Sequence, residues 1–164
     1  ATVVIVGFGR IGQRVAQLLD PFGVELIAVD PAYGGAKPGV SVMELYEALP
    51  VADVITLHTG GDSCVMGPEE FELVKPGCLL LNTARGGVVD EDALRLALDS
   101  GKVAGAFLDT FCDEPYSGPL LDFDQVVVTP HLGSYTSECR VAMETQAVEN
   151  LLLGLSGHDG NVKG

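Results

Sequence analysis

Short β-branched apolar runs recur along the chain, and between them lie stretches whose apolar residues fall three or four positions apart. Thr2–Val6 is the first run and reads as a buried strand ending at Gly7. Ile11, Val15, Leu18 and Leu19 then repeat at helical spacing, and Pro21 with Gly23 ends the helix they predict. Glu25–Val29 is a second strand, ending at Asp30, and residues 31–39 are a loop rich in Gly and Pro. Ser41 and Glu44 match a capping box and predict a helix through Leu49. Val54–Leu57 is a strand ending at His58, and residues 68–74 are a short helix with Pro at its first turn. Residues 78–81 form a strand ending at Asn82 and Thr83, and Asp90 caps a helix through Leu98. Val103–Leu108 is a strand ending at Asp109, and residues 125–128 are the last strand, before Thr129, Pro130 and His131. Val141, Val148, Leu151, Leu152 and Leu155 form one stripe of a long amphipathic helix.

Buried strands alternating with helices predict an α/β domain with a mostly parallel sheet flanked by helices. At 164 residues a single domain is expected, here residues 1–155, with a polar, glycine-rich flexible tail at 156–164. The connection 110–124 is long and has no helical pattern, and loops of that kind are functional or disordered. Asp113, Glu114 and Pro115 lie in it. The chain begins at Ala1, directly on a strand and without an initiator Met, which reads as a piece of a longer protein.

Charge narrows the choice of partners. Nine basic residues against 23 acidic ones give a net charge of −14. That disfavours nucleic acid and anionic membrane surfaces, both of which need clustered Lys and Arg. Such acidity keeps a cytoplasmic protein soluble. No signal peptide and no apolar run near the roughly 20 residues of a membrane helix is visible. No pair among the four cysteines has CxxC spacing, so no metal site is predicted, and Cys78 reads as a core thiol in a reducing compartment.

Chemistry concentrates at the ends of the predicted strands. GFGRIG, Gly7 to Gly12, follows one strand and opens a helix. In that context Gly7 permits a tight turn, Gly9 lets the backbone approach a pyrophosphate at the helix N-terminus, and Gly12 allows close packing of helix on strand. Asp30 ends the next strand, 18 residues after Gly12. An acid there accepts hydrogen bonds from the adenosine ribose and repels a 2′-phosphate, which predicts NAD over NADP. His58, Thr59, Thr83, Arg85, Asp109 and His131 also follow strands, so one edge of a Rossmann-type doubly wound sheet is expected to hold one site. No G-x-S-x-G occurs, which disfavours a serine hydrolase.

Three further segments, NTARGGVVDEDAL (82–94), GAFLDTFCDEP (105–115) and TPHLGSYTSE (129–138), stand in this order after GFGRIG. Together the chain resembles the D-2-hydroxyacid dehydrogenases, most nearly their phosphoglycerate dehydrogenase-like members, from Thr2 to about Leu155. The resemblance implies that His131 is the general base and that Glu114 pairs with it and holds its tautomer. It implies that Arg85 binds the substrate carboxylate with its planar fork. By the same resemblance Asp109 holds the nicotinamide carboxamide, while Arg10, Ile11, Thr59, Thr83, Ala84, Arg85, His131 and Gly133 line the cofactor. His58 lies near the nicotinamide and suits a structural role equally well. The implied partners are a small 2-hydroxy or 2-oxo acid and a second copy of the chain. The family's substrate-binding domain, and a helix that helps complete the cofactor domain, are missing from these residues, so the chain alone is expected to bind NAD(H) and turn over little or nothing. The loop TGGDSCVMG (59–67) departs from the Pro and several Thr usual there. A second reading is a non-enzymatic NAD-sensing module, since corepressors of the C-terminal-binding-protein type share the scaffold and keep the triad.

Overall fold

The computed structural model describes residues 1–61 and 63–155, so the tail expected at 156–164 lies outside the described residues. They divide into two compact units, Ala1–Pro130 and the residues from His131 onward. The first unit is built on a seven-stranded sheet, with β1 (Thr2–Val6), β2 (Glu25–Val29), β3 (Val40–Val42), β4 (Val54–Leu57), β5 (Cys78–Asn82), β6 (Val103–Leu108) and β7 (Val126–Val128) in the order β3-β2-β1-β4-β5-β6-β7. Every pairing is parallel. The chain runs outward from β1 to β3, then returns to the other side of β1 and runs outward again from β4 to β7. This is the doubly wound α/β arrangement that the pattern predicts, and its switch point lies between β1 and β4.

Register explains why the polar strand ends share one edge. Val6 pairs with Val29 and Leu57, Leu57 with Asn82, Asn82 with Leu108, and Leu108 with Val128. The residues just after these positions therefore stand level along the carboxyl edge. Successive side chains of the central strands feed opposite cores. Val4, Val6, Ile27 and Val29 join the larger core, while Val3, Ile5, Leu26 and Ala28 join the smaller one. Both faces are buried, which is why these strands read as continuous apolar runs.

The helices cover the two faces unequally. On the smaller core lies α1 (Arg10–Leu19), which touches the sheet through Gly12 and Ala16. Of the four residues at helical spacing, Val15 and Leu19 pack on this core, whereas Ile11 and Leu18 are 65% and 58% exposed. On the larger core lie α2 (Leu45–Ala48), α3 (Pro68–Leu73) and α4 (Glu91–Asp99), contributing Ala48, Phe71, Ala93, Leu94 and Ala97. Asp90 caps α4 as expected, its carboxylate accepting the Ala93 N–H at 2.9 Å. The Ser41 cap is a correction: Ser41 lies in β3, the residue before α2 is Glu44, and a 3₁₀ turn (Leu49–Val51) containing Pro50 takes over after Ala48. The 110–124 connection holds a single 3₁₀ turn, Pro119–Asp122.

All four cysteines are free. Cys78 is buried, and burial pushes its thiol up to about 11. In the second unit α5 (Ser137–Leu155) has no buried residue, and Val141, Val148, Leu151, Leu152 and Leu155 are all exposed. The expected stripe is thus not a core face among the described residues. No helix among them is long and apolar enough to cross a membrane.

Candidate cofactor and substrate site

The glycine turn is fixed by close backbone approaches. Gly7 has a left-handed φ of 90°, and a Cβ on it would stand 2.5 Å from the carbonyl carbon of His58. The Gly7 N–H donates to the Val29 carbonyl at 2.8 Å, and the His58 N–H donates to the Val6 carbonyl at 2.7 Å. The turn is thereby joined to β2, and the end of β4 to β1. A Cβ on Gly12 would lie 2.1 Å from the Gly7 carbonyl oxygen, so only glycine lets α1 approach β1 this closely. Gly9 differs, because nothing lies within 4 Å of its Cβ position. Open space there, beside the unsatisfied N–H groups of the first turn of α1, fits a pyrophosphate. Arg10 and Ile11 stand on that turn, both exposed.

Asp30 is held at the end of β2. One carboxylate oxygen accepts the Phe8 N–H at 2.8 Å and the other the Ala32 N–H at 2.9 Å. Each oxygen keeps a lone pair for a ribose hydroxyl. Gly7, Gly9, Asp30, Glu44, His58 and Thr59 are among the residues lining a cavity of about 410 Å³ at the switch point. The Thr59 hydroxyl is buried there with no partner among the described residues. A buried, unsatisfied hydroxyl at a cavity wall marks a place for a ligand or water. Open space at Gly9, a fixed acceptor at Asp30 and this hydroxyl together fit a dinucleotide.

The Nε2 atom of His58 lies 2.9 Å from the Thr56 hydroxyl, and burial holds the imidazole below its ordinary pKa. The folded state then binds fewer protons than the unfolded state as pH falls through the ordinary histidine range. This contribution is fully present above about pH 6.5 and is lost as pH drops through the lower folded value. A urea titration at pH 7.5 and pH 5 should therefore show a smaller acid loss in His58→Asn than in the parent; equal losses would sink the assignment.

Two loops farther along the edge are joined by contacts that sequence reasoning missed. Asn82, buried at the end of β5, donates from Nδ2 to the Arg85 carbonyl at 2.9 Å and accepts the Ala84 N–H at 3.0 Å. This shapes the Thr83–Ala84–Arg85 turn; Arg85 is exposed and donates to the Ala84 carbonyl at 2.7 Å. A Cβ on Gly86 would sit 1.9 Å from the carbonyl carbon of Phe111, so this loop lies directly against the loop carrying Glu114. The Glu114 carboxylate accepts the Phe111 N–H at 3.1 Å, and Glu91 accepts the Cys112 N–H at 3.2 Å. Phe111 stacks on Tyr116 with centroids 4.0 Å apart. Asp109 is buried and accepts a hydrogen bond from the Thr129 hydroxyl. The two glycines after Arg85 were the available signal for Gly86; nothing local marked Glu91, which reads as an ordinary acid at a helix start.

His131 and Gly133 belong to the second unit. His131 has a φ of 54°, a left-handed value uncommon for a residue with a side chain. Such outliers gather at functional sites.

A family model for the NAD binding domain of D-isomer specific 2-hydroxyacid dehydrogenases matches residues 1–133. The D-3-phosphoglycerate dehydrogenase of Mycobacterium bovis is 41% identical over 163 residues, covering 95% of this chain and 31% of that protein. Among solved structures, the D-isomer specific 2-hydroxyacid dehydrogenase of Lactobacillus delbrueckii ssp. bulgaricus in its NAD complexed form superposes with a TM-score of 0.87 at 30% identity, covering 98% of this chain and 55% of that one. The enzyme of the same description from Xanthobacter autotrophicus Py2, in complex with NADPH and MES, gives 0.84 at 32% identity, covering 95% and 67%. The chain thus spans 31% of the length of the phosphoglycerate dehydrogenase and 55% of that of the Lactobacillus enzyme. It belongs to the D-isomer specific 2-hydroxyacid dehydrogenases, as their NAD binding domain.

Proposed function

We propose that the protein carrying this chain is an NAD-dependent dehydrogenase acting at C2 of a D-2-hydroxy acid, phosphoglycerate or a close relative of it. The observation that carries this reading is the close contact at Gly86, which sets the Arg85 loop against the Glu114 loop on the sheet edge that holds the glycine turn. When bound, the cofactor supplies the nicotinamide that accepts a hydride from C2. Arg85 binds the substrate carboxylate through paired N–H groups and polarises the oxygen at C2. His131 takes the hydroxyl proton as the C2 carbonyl forms, and Glu114 holds its imidazole. Gly7 to Gly12, Asp30, Thr59, Thr83, Ala84, Asp109 and Gly133 hold the dinucleotide, with Asp30 favouring NAD over NADP.

A separate substrate-binding domain, a homodimer and a cytoplasmic location complete the proposal. Exposure of Leu79 and Val127, 44% and 57%, supports further chain packing on that face of the sheet. The corepressor reading gains no support from the relatives described above. The test is nicotinamide absorbance in the full-length protein with a panel of D- and L-2-hydroxy acids. Turnover of at least one D acid and of no L isomer is expected. The chain alone should be at least about 100-fold slower, because closure that excludes water and orients substrate is lost. NADH binding with no turnover of any acid would leave a cofactor sensor instead.

A further inference from the structure

Glu44 lines the same cavity as Asp30 and Thr59, together with apolar walls from Pro31, Leu45 and Val65. It is the residue before α2, yet its side chain makes no capping hydrogen bond. Its carbonyl serves the helix instead, accepting the Glu47 and Ala48 N–H groups at 3.1 Å each. Asp30 is tied to the glycine turn by the Phe8 N–H and to its own loop by the Ala32 N–H. If Gly9 takes the pyrophosphate and Asp30 the ribose, the base is left the remainder of this cavity, whose lining includes Glu44, Pro31, Leu45 and Val65. An ionised carboxylate only accepts hydrogen bonds, so a base beside Glu44 must present a donor.

Resting on the NAD reading, we propose that Glu44 is the base-reading residue of the site, accepting a hydrogen bond from the exocyclic amino group of adenine. A base with a carbonyl oxygen at that position would place two acceptors face to face, so hypoxanthine is disfavoured. Discrimination of this kind follows from leaving polar groups unpaired rather than from shape.

The experiment is titration of the full chain, followed by nicotinamide fluorescence, with NADH and with reduced nicotinamide hypoxanthine dinucleotide. The parent should prefer NADH by about tenfold or more. Glu44→Gln presents either a donor or an acceptor, so its preference should fall below about threefold, while Glu44→Ala weakens NADH and narrows the ratio by a different route. Glu44 is exposed and does not cap α2, so neither variant should lower the melting temperature. A parental ratio kept in both variants would overturn the role of Glu44 and leave NAD binding intact. Failure of the parent to bind either nucleotide would overturn both.

Discussion

Replacing Gly86 by alanine is expected to lower the melting temperature by about 2–12 °C and to abolish turnover. The added methyl would stand 1.9 Å from the Phe111 carbonyl carbon, 2.1 Å from its oxygen and 2.3 Å from the Cys112 nitrogen. These are backbone atoms, so no rotamer change relieves the collision. Phe111 is further held by stacking on Tyr116, and the Cys112 N–H by Glu91. Overpacking against a constrained neighbour costs about 1–3 kcal/mol or more. In a chain of this length each kcal/mol moves the midpoint by about 2–4 °C. Separation of the loops would displace Arg85 relative to Glu114, so the full-length enzyme should lose activity even at temperatures where it stays folded. Gly34, which has nothing within 4 Å of its Cβ position and no left-handed φ, is the control. A melting temperature within about 2 °C of the parent, with activity intact, would show that the contact is neither tight nor needed.

Substitution of His131 by glutamine should lower kcat in the full-length enzyme by about 10²–10⁴-fold, the range that general acid–base groups supply. Glutamine can hydrogen-bond but cannot carry the proton from the hydroxyl. In the proposed mechanism the proton is taken as the hydride leaves, so the loss should fall on kcat while the dissociation constant for NADH stays within about threefold. His131 holds a left-handed φ of 54°, so unfolding is measured alongside to separate a loss of chemistry from a loss of folded protein. An enzyme with parental kcat after this change would remove His131 from the chemistry.

The parts of the fold that the sequence revealed are those governed by burial on both faces and by single-residue punctuation. β1, β2, β4, β5 and β6 are mostly apolar, β1 and β2 because both of their faces are buried, and Gly7, Asp30, His58, Asn82 and Asp109 mark where they end. β3 escaped notice because it is three residues long, pairs on one side only and contains the exposed Ser41 and Val42, which carry no burial signal. Misreading Ser41 as a cap followed from that, and it hid Glu44 as a cavity residue. On α1 the spacing found Val15 and Leu19, which pack on the smaller core, but not Gly12 and Ala16, because apolar spacing ignores glycine and alanine. In the site, the cavity-lining positions Gly7, Gly9, Asp30, His58 and Thr59 were legible because strand ends and the glycine spacing place them locally. Gly86 and Glu91 were not, because each acts across about 20 residues of sequence, on Phe111 and Cys112, and such pairings are set by tertiary contact.

We propose that the open backbone at Gly9 and the acceptor at Asp30 hold a dinucleotide. The most direct test is the thermal midpoint of Gly9→Ala and the parent, each with and without NADH at about a hundred times the parental dissociation constant. Nothing stands within 4 Å of the Gly9 Cβ position, and its φ of −72° suits any residue, so without ligand the two midpoints should agree. With NADH the parent should gain about 2.7 kcal/mol, a rise on the order of 5–10 °C, and Gly9→Ala should gain about 1 °C or less because the methyl occupies the pyrophosphate's place. An equal rise in both proteins would contradict the account and put the nucleotide elsewhere.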